Sequence, residues 1–142
     1  MFGNNSLLTR ITVGKLLGLL VGGIGFFLLP NYLPDAGYMI RFGLLFWYIL
    51  MGTVVGLFGV VTYHPVLRMP MPWWFLGAAV GGWMNFIIAL FMYDTLTIVV
   101  SNFFNGAITS PFWVIIEGIL VGLVMAWVCK RLGGEGKAIV DM

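Results

Sequence analysis

Residues 112–129, FWVIIEGILVGLVMAWVC, form an apolar run interrupted by one charge, Glu117. A helix needs about 20 residues to cross about 30 Å of hydrocarbon, and this run has that length. Inside lipid no water is available to pair backbone N–H and C=O groups, so a helix that pairs them internally is the expected form. Working outward, three more runs of this kind appear, from Ile11 to Leu29, Phe42 to Tyr63 and Trp73 to Tyr93. The reading is an all-α integral membrane protein: one four-transmembrane-helix bundle over residues 1–142, with spans at about 11–29, 42–63, 73–93 and 112–129.

Composition agrees with that reading. The chain has 142 residues, 61% hydrophobic and 8% charged, with a mean hydropathy of +1.06, whereas ordinary globular domains are about 25% charged. Its 7 basic and 5 acidic side chains are dispersed, without the basic patch that could follow a phosphate backbone. Nucleic acid is therefore not expected as a partner. Cys129 is the single cysteine and His64 the single histidine. An internal disulfide, a cysteine-rich zinc site, an iron–sulfur cluster and two-histidine haem ligation are excluded within one chain.

The breaks between runs carry helix-stopping chemistry. Pro30 and Pro34 close the first helix, residues 64–72 hold three prolines, and Pro111 opens the fourth span at a first-turn position. Arg10 and Lys15 precede the uncharged stretch from Leu16 to Leu29, but no small-residue cleavage motif follows it, so a retained helix is expected rather than a signal peptide. With the N terminus cytoplasmic, Arg10, Lys15, Arg68, Lys130, Arg131 and Lys137 all lie inside and Arg41 alone outside. Both termini are thus expected in the cytoplasm, in a bacterial cytoplasmic (inner) membrane. Tyr63, Trp73, Trp74 and Trp127 fall at the inner boundary, and Tyr38, Tyr93 and Trp113 at the outer one, where such side chains anchor helices.

Residues 94–111 are less apolar. Leu96, Val99, Val100, Phe103 and Ala107 recur at helical spacing against Thr97, Ser101 and Asn105. This segment reads as a short interfacial helix or an irregular outer loop. Residues 133–142 read as a flexible cytoplasmic tail.

Helices in lipid have little hydrophobic reason to associate, so small residues that let backbones approach mark the packing faces. Four-residue glycine spacing occurs in every span: Gly14, Gly18 and Gly22; Gly52 and Gly56; Gly77 and Gly81; Gly118 and Gly122. Continuing these ridges turns Tyr48 and Asn85 toward other helices, with Glu117 flanking the small face of the fourth. At 1.5 Å per residue, Glu117 lies about 8 Å from the outer ends, Tyr48 about 9 Å and Asn85 about 12 Å. Glu117, Asn85 and Tyr48 form an expected intramembrane polar cluster.

A carboxylate inside a spanning helix costs about 2.5 to 3.5 kcal/mol on insertion scales. Two roles account for one there: a protonatable site, or a neutral acid that hydrogen-bonds helices together. His64, Arg68, Trp73 and Trp74 mark a proline-stiffened loop that could dock a partner, membrane anchoring being the commoner use of such residues. The methionines show no copper-ligand spacing, and Cys129 reads as a packing thiol. No serine, histidine and acid constellation, phosphate loop or carboxylate pair can be assembled, so neither an enzyme nor a metal site is expected.

Size and helix number are similar to those of the small multidrug-resistance transporters. In that family, however, the essential acid lies in the first helix, which carries none here, and the basic asymmetry departs from dual topology. The chain is accordingly assigned to no family. The leading expectation is a structural or accessory subunit of a membrane complex, self-association included. Its partners would be the lipid bilayer and other membrane subunits or further copies, with no cofactor but bound lipid. The alternatives are an oligomeric ion- or proton-coupled transporter or channel using Glu117, and a lipid- or quinone-binding redox subunit.

Overall fold

The computed structural model describes residues 6–136, 139 and 140. Its helices are α1 (Leu7–Tyr32), α2 (Tyr38–Leu57), α3 (Trp73–Phe91), α4 (Tyr93–Phe103) and α5 (Val114–Gly133). Among the described residues, α1, α2 with its following 3-10 turn, α3, and α5 with its preceding turn are long and apolar enough to cross a membrane. The chain is all-α and multi-pass. Its outer surface suits lipid: Leu20, Phe27, Trp83 and Phe91 point outward and are exposed.

The spans run antiparallel in sequence order. α1 and α3 lead away from one end of the bundle, here the terminal end, and α2 and α5 return to it. The α2–α3 connection at that end contains a two-residue antiparallel ladder, Tyr63–His64 with Met69–Pro70. α4 lies at the opposite end.

Two glycine-lined pairs make up the bundle. In α1 against α2, a Cβ on Gly14 would strike the Gly52 carbonyl, and one on Gly18 would strike the backbone of Tyr48 and Ile49. In α3 against α5, a Cβ on Gly81 would meet the Gly118 carbonyl, and Gly77 lies against Gly122 and Ala126. Gly22 and Gly56 approach Leu45 and Arg10 in the same way. All nine glycines picked out by spacing are therefore used inside the chain. The two pairs meet over Met51, Val55, Met84, Met125 and Ala126, and near the α4 end over Ile88, Ala89 and Leu96.

The structure moves several expected boundaries. α1 does not stop at Leu29 but passes through Pro30 to Tyr32. Proline lacks the N–H that would bond the carbonyl four residues earlier, which is that of Phe26. Arg41 Nε donates to this carbonyl at 2.8 Å, replacing the missing bond from the neighbouring helix. The Arg41 guanidinium also lies 4.2 Å from the Phe26 ring centroid. α2 starts earlier than Phe42 and ends at Leu57 rather than Tyr63, where Phe58 tightens the chain into a 3-10 turn, Phe58–Val60. α3 ends at Phe91 rather than Tyr93. α5 begins at Val114, after a 3-10 turn opened by Pro111, and runs on to Gly133.

The segment that could have been an irregular loop contains helix α4. Its apolar face is turned inward, with Leu96 and Val100 buried. The helical spacing that included Asn105 and Ala107 overran the helix, because Asn105 turns into the left-handed region at φ 54°. Gly106 N then donates back to the Ser101 carbonyl at 2.7 Å, as in the common helix stop with a left-handed residue, here asparagine in place of the usual glycine. At the other end of the chain, residues 134–136 begin the segment read as a flexible tail. There Gly136 N donates to the Gly59 carbonyl at 2.8 Å, and Lys130 pairs with Glu135 at 3.1 Å. Lys137 lies outside the described residues.

Candidate functional site: a cavity with a polar floor

Tyr48, Asn85 and Glu117 come from α2, α3 and α5, and the structure brings them together. Asn85 follows Gly77 and Gly81 on the face of α3 that meets α5. A Cβ on Gly118 would lie 2.7 Å from both Asn85 Cβ and Cγ, so the bare glycine is what lets the amide in. From that position Asn85 Nδ2 donates to the Val114 carbonyl at 2.8 Å and to Glu117 Oε2 at 2.7 Å. Tyr48 Oη donates to the same carboxyl oxygen at 2.8 Å. One carboxyl oxygen thus joins three helices.

Trp47 extends the network and was not singled out in the sequence. Its Nε1 donates to Asn85 Oδ1 at 3.2 Å. A signal for it did exist: Trp47 lies within a span, away from the boundary belt where tryptophan usually sits, and an indole N–H buried in lipid needs an acceptor. Asn85 is 1% exposed, and its amide spends both N–H groups and accepts one hydrogen bond.

Above this network is a cavity of about 360 Å³, with Gly25, Leu44, Ile88 and Val99 among its apolar walls and Trp47, Tyr48, Asn85 and Glu117 at its polar floor. That volume falls within the range of about 300 to 1,000 Å³ typical of small-molecule sites. Helix α4 roofs it through Leu96, Val99, Val100 and Phe103. The roof is fastened on two sides. Asn102 Nδ2 donates to the Tyr32 carbonyl at 2.6 Å and the Phe103 ring lies 5.4 Å from that of Tyr32, while Phe104 reaches Trp113 at 6.1 Å. Glu117 as a residue is exposed and lines the cavity, while its Oε2 is held by Tyr48 and Asn85.

The remaining residues picked out in the sequence lie elsewhere. His64 and Arg68 are in the terminal-end hairpin, where His64 Nδ1 accepts a bond from Leu67 N at 3.0 Å. Trp73 packs against the core, whereas its neighbour Trp74 is exposed. No group of three or more metal-ligating side chains occurs among the described residues.

A second polar centre escaped sequence reading. Arg10, counted only as a basic residue near the boundary, is 3% exposed. Its Nε donates to the Gly56 carbonyl at 2.9 Å, Nη2 to Val55 at 3.2 Å and Nη1 to Gly134 at 2.6 Å. These carbonyls lie in the last turn of α2 and just past the end of α5, where partial negative charge collects. Cys129 Sγ, fully buried, donates to the Arg10 carbonyl at 3.5 Å, consistent with a packing thiol. The centre holds the terminal end together and leaves little room for a ligand.

Comparison with protein-family models, curated proteins and solved structures finds no match for this chain.

Proposed function

We propose that this multi-pass membrane protein binds a small lipophilic molecule in the cavity between α1, α2, α3, α4 and α5. One observation carries the reading: an apolar, aromatic-walled cavity of about 360 Å³ ends on a polar floor built from three helices. Apolar walls with a few convergent polar groups are the usual make-up of small-molecule sites. The basic residues Arg10, Lys15, Arg68, Lys130 and Arg131 at the terminal end favour a cytoplasmic terminal end, with the cavity in the outer half of a bacterial inner membrane. The accessory-subunit role drew its support from packing glycines together with absent catalytic groups and little extramembrane mass. Those glycine faces are occupied within the chain, so they lend no surface to a partner.

The test is photolabelling of the purified protein with a decanol carrying a diazirine on its chain, with crosslinks mapped by mass spectrometry. Crosslinks concentrated on cavity residues are expected. A Cβ on Gly25 meets nothing within 4 Å, so Gly25→Leu adds bulk at the cavity wall without a backbone clash and should sharply reduce labelling. Labelling spread evenly over the lipid-facing surface and indifferent to Gly25→Leu would overturn the proposal.

A second reading, proton- or ion-coupled transport, is favoured by an acidic residue, Glu117, in the cavity lining. It predicts that Glu117→Gln changes proton or ion flux in reconstituted vesicles. Flux equal to that of protein-free vesicles for both forms would remove it.

A further inference from the structure

The hydrogen bonds at the cavity floor restrict what can bind there. An indole has one N–H, a phenol one O–H, a carboxamide two N–H and a carboxyl group none in its ionised form. Trp47 gives its N–H to Asn85, Tyr48 gives its O–H to Glu117, and Asn85 gives one N–H to Val114 and one to Glu117. Every donor of the floor is therefore used within the floor. Acceptors remain: Glu117 Oε1 takes no hydrogen bond from a described residue, and the Tyr48 oxygen has lone pairs to spare. The other donors on the cavity wall, the Tyr32 hydroxyl and the Trp113 indole, belong to its α4 end, at boundary positions where water can serve them.

Charge points the same way. The ion pair found among the described residues is Lys130 with Glu135, at the far end of the bundle, so no cation among the described residues is paired with Glu117. An ionised carboxylate in an apolar site calls for a counter-charge or for a proton, and an ammonium head supplies either.

We infer that the cavity selects lipophilic amines, with an ammonium head donating to Glu117 Oε1 and an alkyl or aryl body along the apolar wall. An acidic head or an oxidised quinone brings acceptors to a floor that already lacks free donors, and the acidic head adds like charge. A neutral alcohol can donate but brings no counter-charge, and hydrogen bonds between charged groups are roughly twice as strong as neutral ones.

This inference rests on the lipophile-binding reading, and competition against the same diazirine decanol separates the two. Decylamine, decanol and decanoate share one chain and differ only in the head. Decylamine should block cavity labelling at about one tenth of the concentration that decanol needs, and decanoate should compete least. Glu117→Gln should bring decylamine down to the level of decanol. Equal competition by decylamine and decanoate on the wild-type protein would overturn the amine inference and leave the cavity reading in place, and this arm needs no variant to fold. Retention of the amine preference in a folded Glu117→Gln protein would also overturn it. Absence of cavity labelling altogether would remove both.

Discussion

Arg41 and Arg10 solve the same problem at opposite ends of the bundle: helix carbonyls without an N–H. Proline creates the first case, since Pro30 leaves the Phe26 carbonyl to Arg41. The two residues should therefore be coupled. Arg41→Leu is expected to destabilise the protein by about 1 kcal/mol more in the Pro30 background than in Pro30→Ala, where the helix supplies its own N–H. Equal losses in the two backgrounds, measured by denaturant titration in detergent, would sever the link. Helix termini create the second case. Arg10→Met leaves the Val55, Gly56 and Gly134 carbonyls without that donor, and a loss of about 3 kcal/mol is expected. Arg10→Lys should recover only part of it, because one ammonium cannot reproduce the forked geometry of a guanidinium; full rescue by lysine would show that charge alone matters.

At the scale of elements, the four spans could be read from hydrophobic length because lipid leaves the backbone few options. The polar cluster could be read as well. Four-residue spacing fixes a helical face, and it turned Tyr48 and Asn85 inward from Gly52 and Gly81. Boundaries were less legible, because they depend on partners distant in sequence: nothing local to Pro30 announces Arg41. Trp47 and Arg10 were missed for a related reason, since burial of a residue near a span boundary or within a span depends on what packs against it. The α3–α5 contact gives a direct test of the glycine faces. Gly81→Leu places a side chain on the Gly118 backbone and should exceed the roughly 1 to 3 kcal/mol of ordinary overpacking, while Gly23→Ala, which meets nothing within 4 Å, should be nearly silent in the same melting assay. Helix α4 gives another. Asn102→Ala removes its hydrogen bond to the end of α1 and should speed exchange of a cavity ligand with little change in melting temperature; an unchanged off-rate would mean that α4 does not control entry.

At the scale of the whole molecule, the basic residues make orientation testable. Cys129 is the single cysteine of the chain and is buried, so intact protein should react poorly with a maleimide. Cysteines introduced at Arg68 and Asp35 fall at opposite ends of the bundle. In whole cells an impermeant maleimide should label Asp35→Cys and spare Arg68→Cys, and the reverse pattern would invert the proposed topology. The Arg10 centre also ties the molecule to the order of its synthesis. Arg10 emerges early, its acceptors at Val55 and Gly56 follow after α2, and its partner at Gly134 lies 124 residues downstream. Until α5 is in place, one arm of the guanidinium has no Gly134 carbonyl to bind. The knot at the terminal end can thus close only after Gly134 has been made: a product truncated before Gly134 would keep its glycine-packed α1–α2 pair and leave Arg10 Nη1 without that acceptor.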